Sequence, residues 1–81
     1  MKQLLYFSAE WCGPCRTFKP TMEALSKEIP IQFIDVDISA NTAQNYNVRS
    51  VPTTILIKDG MEIGRLVGPK SINEIRDLFR A

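Results

Sequence analysis

The two cysteines of this 81-residue chain lie three positions apart, in the segment Trp11-Cys12-Gly13-Pro14-Cys15, and the chain contains no histidine. Residues at i and i+3 share one face of a helix, so both sulfurs can meet in its first turn and close a small, reducible ring. Gly13 and Pro14 suit a loop that becomes a helix, because proline lacks only an N–H that has no partner at a helix start. The leading sulfur then faces free N–H groups, whose partial positive charge favours thiolate over thiol. Since thiolate attacks disulfides, the motif predicts a redox-active pair.

Three other interpretations of the cysteine pair remain open. A zinc half-site also uses this spacing, but structural zinc takes four ligands, and the chain has no second pair of cysteines. Zinc shared across a dimer, or completed by carboxylates, would meet that count. A permanent structural disulfide over three residues would constrain the unfolded chain little. An inert buried pair fits poorly beside Glu10, Gly13 and Pro14. The redox interpretation is favoured over all three.

Length and composition predict one small domain spanning residues 1–81. Apolar residues make up 44% and charged residues 23%, and ten basic against nine acidic side chains leave a net charge of +1. This balance argues against partners such as nucleic acid or an anionic membrane. The N-terminus does not resemble a signal peptide, and no segment approaches membrane-spanning length. We therefore expect a cytoplasmic protein, and in that reducing compartment a C-x-x-C pair is typically catalytic.

The first half of the chain predicts a strand, a helix and a second strand. Residues 3–8 form a short apolar run, which predicts a buried strand. Phe18, Met22, Leu25 and Ile29 follow a helical spacing, and Pro30 is expected to end this helix. Residues 31–36 predict a second strand that is mostly apolar and therefore covered on both faces, as parallel strands are.

The second half predicts a short helix, a hairpin and a final helix. The short helix spans residues 40–46, and a β-branched strand spans residues 54–57. Lys58-Asp59-Gly60 forms the turn into a return strand over residues 61–67. Ser71 with Glu74 fits a capping box that opens the last helix. The order β-α-β-α-β-β-α predicts an α/β fold, in which a four-stranded mixed sheet is flanked by helices. The long helix starts at the C-terminal end of the first strand, where α/β sheets usually place active sites.

With these motifs in this order, the chain resembles the thioredoxin family over nearly its whole length. The most specific match is Ala9-Glu10-Trp11-Cys12-Gly13-Pro14-Cys15. Further matches are Pro20 in the first helix, Val51-Pro52-Thr53 before the third strand, Asp59-Gly60 in the hairpin and Val67-Gly68 after it. The resemblance implies the thioredoxin fold.

The resemblance also implies a role for each matching residue. Cys12 would be the exposed nucleophile that attacks a substrate disulfide, and Cys15 the more buried thiol that resolves the mixed disulfide. Pro52 would follow a cis peptide bond, although cis bonds precede only about 5% of prolines in folded proteins. The apolar rim that partner proteins touch would consist of Trp11, Gly13, Pro14, Val51, Pro52, Val67 and Gly68.

The chain departs from the family pattern around the resolving cysteine. Thioredoxins usually carry a buried aspartate six positions before the nucleophile and often a lysine facing it, but Tyr6 and Phe33 occupy these positions. Two aromatics avoid the desolvation of two charges, yet they remove the usual base for Cys15. Its proton must then pass to water, to Asp35 or to the departing thiolate, although a solvated carboxylate at the strand end is the favoured interpretation of Asp35. Asp35 and Asp37 are the two auxiliary site candidates. Asp37 is expected to accept the indole N–H of Trp11.

Two further departures concern size and packing. The family usually begins with an extra strand and helix, which the printed sequence does not contain. Ser8 stands where many thioredoxins have a second tryptophan, and this smaller residue is expected to loosen the packing of the active-site loop.

These observations predict a thiol–disulfide oxidoreductase that reduces protein disulfides. We expect a monomer that needs no cofactor beyond its own disulfide, binds no metal and is recycled by an NADPH-dependent thioredoxin reductase. Two alternatives are a glutaredoxin-like protein recycled by glutathione and a non-catalytic subunit that binds a partner protein. The tryptophan and the Gly-Pro spacer argue against the first alternative, and the two retained cysteines argue against the second.

Overall fold

The first strand of the chain lies inside the sheet, with a neighbouring strand on each side. The computed structural model describes residues 1–81. Its elements are β1 (Lys2–Ser8), α1 (Gly13–Leu25), β2 (Ile31–Asp35), α2 (Ala40–Asn45), β3 (Thr53–Lys58), β4 (Met61–Val67) and α3 (Ile72–Arg80). The strand order is β2-β1-β3-β4, with β1 parallel to β2 and antiparallel to β3. The predicted four-stranded mixed sheet and its element order are confirmed.

Side chains of β1 are buried on both faces of the sheet. Leu4 and Tyr6 belong to the core formed with α1 and α3, whereas Leu5 and Phe7 belong to the core on the α2 side. Because successive side chains of a strand point to opposite faces, two covered faces require the continuous apolar run seen in the sequence. The strand that leads to the cysteines is therefore held from both sides.

Helix α1 ends at Leu25, earlier than the predicted end at Pro30. The hydroxyl of Ser26 donates a 2.6 Å hydrogen bond to the carbonyl oxygen of Glu23, and Lys27 N–H bonds to the carbonyl of Ala24 instead. A serine side chain that competes for backbone groups in this way favours a turn over continued helix. Ile29 lies beyond the end of the helix and is still buried. The helical spacing therefore predicted the burial of Ile29 correctly, but Ile29 is not part of the helix.

Strand β2 lies at an edge of the sheet, and the expectation that both its faces are covered is wrong. It pairs only with β1, and Phe33 is 41% exposed. The apolar sequence indicated a strand correctly, but an edge position depends on which strands pair, and the local sequence does not contain that information.

Local signals set the remaining boundaries. Asp59 and Gly60 have positive φ values of 52° and 83° in the β3–β4 turn. The Ser71–Glu74 capping box opens α3 as predicted, with both of its hydrogen bonds present. The side chain of Ile75 packs into the core and so anchors this helix against the sheet. No helix is both long enough and apolar enough to span a membrane.

Candidate active site

Cys12 and Cys15 form a disulfide at the N-terminus of α1. Cys12 is the N-cap residue, with extended backbone angles, and Pro14 lies in the first turn, where its missing N–H leaves no broken bond. The backbone N–H of Cys15 donates a 3.2 Å hydrogen bond to the Cys12 sulfur. The sulfur therefore takes the place of the oxygen of an ordinary capping side chain and lies at the positive end of the helix dipole. When the disulfide is reduced, this position stabilises negative charge on Cys12.

Both cysteines are buried in this oxidised state. Cys12 is 4% exposed and Cys15 is 3% exposed, so the expectation that Cys12 is the exposed member of the pair is wrong for the disulfide form. The two residues cluster with Ala9, and the side chains of Val36 and Val51 pack against them. In the disulfide form Cys12 packs against Val51, and sequence motifs carry no information about that packing.

The loop before β3 lies against the disulfide. The Val51–Pro52 peptide bond is cis, as the resemblance implied, and the carbonyl oxygen of Val51 lies 3.6 Å from the Cys12 sulfur. Gly68 N–H donates a 2.8 Å hydrogen bond to the Pro52 carbonyl, which brings the end of β4 to the same place. The two segments that the sequence analysis assigned to the rim are therefore joined to one another and placed beside Cys12.

The predicted rim residues differ in how much surface they offer. Trp11 is 68% exposed, and Gly13, Pro14 and Val67 are also exposed. Val51 and Gly68 are half-buried, and Pro52 is fully buried. The apolar surface around the disulfide therefore consists mainly of residues next to the cysteines in sequence, with Val67 contributed by β4.

Asp37 fixes the side chain of Trp11. The indole N–H of Trp11 donates a 2.9 Å hydrogen bond to Oδ2 of Asp37, as the sequence analysis expected. This bond joins the residue before Cys12 to the segment that follows β2. An exposed indole is otherwise free to change rotamer, so the bond gives the rim a defined shape.

Tyr6 and Phe33 occupy the space beneath the resolving cysteine. Their rings meet edge to face, with centroids 5.6 Å apart, and the ring of Phe18 also meets that of Tyr6 edge to face, at 5.8 Å. The Tyr6 hydroxyl donates to the carbonyl oxygen of Cys15 at 3.4 Å. Burial raises the pKa of Tyr6 above its usual value near 10, because the charged phenolate loses solvation. Tyr6 is therefore a neutral donor and cannot serve as a base for Cys15.

An open pocket of roughly 430 Å³ adjoins Cys15. Ser8, Phe33 and Asp35 contribute to its wall, together with Cys15 itself. Ser8, which stands where many thioredoxins have a second tryptophan, is one of the residues that line this space. We call this space the side pocket. It gives Cys15 contact with solvent although the residue itself is buried.

Sequence reasoning missed the cations of the side pocket, Arg16 and Lys19. Lys19 follows Cys15 by four residues in α1 and so lies on the same helix face, which was the available signal. No group of three or more cysteine or carboxylate side chains is arranged to hold a metal ion.

Comparison with known proteins agrees with this geometry. The family model for thioredoxin matches residues 1–81. A thioredoxin from Chlamydia trachomatis is 50% identical over 79 residues, which cover 94% of this chain and 78% of that protein. A mutant thioredoxin from Halobacterium salinarum NRC-1 has a TM-score of 0.91 at 36% identity, covering 98% of this chain and 72% of that one. A reduced Schistosoma mansoni thioredoxin pre-protein has a TM-score of 0.90 at 37% identity, covering 98% and 76%.

The family match extends over the whole chain, and the C-x-x-C disulfide lies at a helix N-terminus beside an apolar rim. Thiol–disulfide exchange needs a thiolate, a second thiol within reach and access for the substrate sulfur. The chain belongs to the thioredoxin family and is a thiol–disulfide oxidoreductase that reduces protein disulfides through Cys12 and Cys15.

Proposed function

We propose that Cys12 is the attacking sulfur and Cys15 the resolving sulfur of this reaction. The N–H of Cys15 lies 3.2 Å from the Cys12 sulfur, and this contact carries the proposal because it stabilises a thiolate at Cys12. The Cys12 thiolate attacks one sulfur of a substrate disulfide, and the other substrate sulfur leaves with the electron pair. Cys15 then loses its proton and attacks Cys12. This closes the Cys12–Cys15 bond and releases the second substrate sulfur as a thiolate, which takes up a proton from solvent.

The rim binds the polypeptide around the substrate disulfide. Trp11 and Val67 are large, exposed and apolar, and apolar exposed patches next to a reactive group typically bind partners. The Val51 carbonyl beside Cys12 is positioned to accept a hydrogen bond from an extended substrate backbone. Gly13, Pro14, Pro52 and Gly68 complete this surface, and Asp37 acts through Trp11.

Composition and family membership support a proposal for the physiological setting. We place the protein in the cytoplasm, as a monomeric domain spanning residues 1–81, with an NADPH-dependent thioredoxin reductase restoring the dithiol after each cycle. The only redox group in this scheme is the Cys12–Cys15 pair. Recycling by glutathione is the alternative, and it is tested by supplying oxidised protein with glutathione alone or with reductase and NADPH.

Two measurements test the assignment of the cysteines. Titration of the pair in redox buffers, with alkylation of free thiols, gives its reduction potential. A value near −270 mV supports a reductant, whereas a value near −180 mV indicates oxidising or isomerising work. The variant Cys15→Ser is expected to trap a mixed disulfide with a protein substrate, and the matched variant Cys12→Ser is expected to trap none. Trapping by Cys12→Ser would reverse the two roles.

The non-catalytic alternative has its own control. If a variant with both cysteines changed to serine kept full biological activity, the chain would act as a binding subunit. Complete loss of activity, with the fold intact by circular dichroism, supports the redox role.

A further inference from the structure

Resolution of the mixed disulfide requires that Cys15 lose a proton, and nothing beneath Cys15 can accept it. On the inner side, the hydroxyl of Tyr6 donates to the Cys15 carbonyl. Its raised pKa keeps it protonated at neutral pH. Phe33, which contacts Tyr6, is apolar. The proton must therefore leave through the side pocket, which borders Cys15 and opens to solvent.

Four charged residues line the side pocket. Glu10 precedes α1, Arg16 and Lys19 belong to α1, and Asp35 ends β2. The Arg16 guanidinium is held in place by a 3.0 Å hydrogen bond from Nε to the Glu10 carbonyl oxygen. Two positive charges beside Cys15 favour its thiolate, and the two carboxylates are the groups able to accept its proton.

Of the two carboxylates, Asp35 is the one fixed by the fold. It pairs with Ser8 across β1 and β2, so the register of the sheet places it beside the segment that leads to the cysteines. Its Oδ1 accepts hydrogen bonds from the N–H groups of Asp37 at 2.8 Å and Ile38 at 3.3 Å. These bonds orient the carboxylate and leave Oδ2 for another donor. Glu10, by contrast, is exposed in the turn before α1.

We propose that Asp35 is the proton acceptor for Cys15, acting through the side pocket. This inference rests on the proposed roles of the two cysteines. The thiol proton passes to Oδ2 of Asp35, directly or through a water molecule in the pocket. The Cys15 sulfur forms a bond to the Cys12 sulfur, and the bond from Cys12 to the substrate breaks with its electron pair on the substrate sulfur. Asp35 then returns the proton to solvent. Proton transfer thus runs outward along the sheet edge instead of inward to a buried base.

A positioned general base typically accelerates a reaction about 10²- to 10⁴-fold when its basicity suits the task. A carboxylate is a much weaker base than a thiolate, so the effect of Asp35 is expected to fall below that range. We therefore expect Asp35→Asn to slow the resolving step by about 3- to 10-fold near neutral pH. The amide oxygen of asparagine still accepts the two backbone hydrogen bonds, so the turn after β2 is retained.

The experiment follows reduced protein reacting with Ellman's reagent in a stopped-flow instrument. Attack by Cys12 releases the first thionitrobenzoate, and resolution by Cys15 releases the second. We compare wild type with Asp35→Asn, with the rescue variant Asp35→Glu and with Glu10→Gln as the matched control, from pH 6 to 10. The expected result is an unchanged first phase in all variants and a second phase slowed only in Asp35→Asn. The second-phase rates of wild type and Asp35→Asn should converge at high pH, where hydroxide removes the thiol proton.

The direction in which the second-phase rate changes distinguishes a general base from a nearby charge that acts only electrostatically. Removing a negative charge near Cys15 favours the thiolate, so charge alone predicts a faster second phase in Asp35→Asn and in Glu10→Gln. A second phase that is unchanged or faster in Asp35→Asn overturns the proposal, as does equal slowing at every pH or slowing by Glu10→Gln alone. Absence of the first phase, or failure to form the intramolecular disulfide, would instead overturn the proposed roles of the cysteines.

Discussion

The ring of Tyr6 meets the ring of Phe33 edge to face, 5.6 Å between centroids, and the two residues are direct partners in the pairing of β1 with β2. The family usually places an aspartate and a lysine at these positions. An aromatic pair of this geometry contributes about 0.5 to 1.5 kcal/mol beyond its buried area, and no charge needs to be desolvated. Beneath Cys15 this chain therefore has a packed aromatic pair where the family usually has a buried proton acceptor.

Changing Tyr6 to phenylalanine separates the packing of this residue from its hydroxyl. The 3.4 Å hydrogen bond to Cys15 is long, so we expect a loss of roughly 0.5 kcal/mol in the free energy of unfolding, at the low end for a hydrogen bond. Resolution by Cys15 should stay within about twofold of wild type, because the neutral hydroxyl is not a base. Urea unfolding and the second phase with Ellman's reagent measure the two quantities. A resolving step slowed tenfold would make the Tyr6 hydroxyl part of the chemistry.

Phe33 and Phe18 both contact Tyr6 but differ in burial. Phe33 is 41% exposed at the sheet edge, whereas Phe18 is buried in the core. Truncation of a buried phenylalanine to alanine costs about 3 to 5 kcal/mol, so Phe18→Ala should fall in that range. Phe33→Ala should cost only about 1 to 2 kcal/mol, since much of its ring already contacts water. Equal losses in chemical unfolding would show that the edge of β2 is covered in solution.

Asp37→Ala removes the acceptor for the Trp11 indole. The free indole must then be ordered when a substrate binds, which costs about 0.5 to 1.5 kcal/mol for one side chain and raises KM for a protein disulfide by roughly 2- to 10-fold. Attack by Cys12 on Ellman's reagent should not change, because that small disulfide makes little use of the rim. Trp11 is the single tryptophan, so its fluorescence reports the release of the ring. A lower rate with both substrates would place Asp37 in the chemistry itself.

The Glu62–Arg65 ion pair gives the fold a pH dependence. Hydrogen bonding to Arg65 lowers the pKa of Glu62 below its ordinary value of 4.5 and raises the pKa of Arg65. A carboxyl whose pKa is lower in the folded state stabilises the fold above the unfolded-state value. That contribution disappears as pH falls through the folded-state pKa. Both side chains remain about 30% exposed, so the contribution should be below about 1 kcal/mol.

Glu62→Gln should therefore be less stable than wild type at pH 7, and the difference should vanish in acid below the lowered pKa of Glu62. Thermal unfolding between pH 2 and 7 measures this difference, with Glu23→Gln, an exposed glutamate of α1, as the control. A loss that persists unchanged in acid would show that packing, and not the ion pair, accounts for the effect of the substitution.

The sequence by itself determined the features that depend on neighbours along the chain. The start of α1, the turn after β3 and the Ser71–Glu74 capping box arise from interactions within four residues. The helix start at Gly13-Pro14 and the capping box were predicted at the correct positions. The turn was predicted one residue too long, because Lys58 still belongs to β3. The cysteine pairing belongs to this group too, because i and i+3 in a first helical turn lie within reach.

Only the tertiary structure decided the features that depend on which distant segments meet. The burial of Cys12 requires Val51 to pack against it from 39 residues away, and the exposure of Phe33 follows from β2 having a single partner strand. The side pocket exists because β1, α1 and β2 bring Ser8, Lys19 and Asp35 to its wall. Long-range pairing of this kind is set by the packing of the whole sheet, since a short segment does not specify which distant segment covers it.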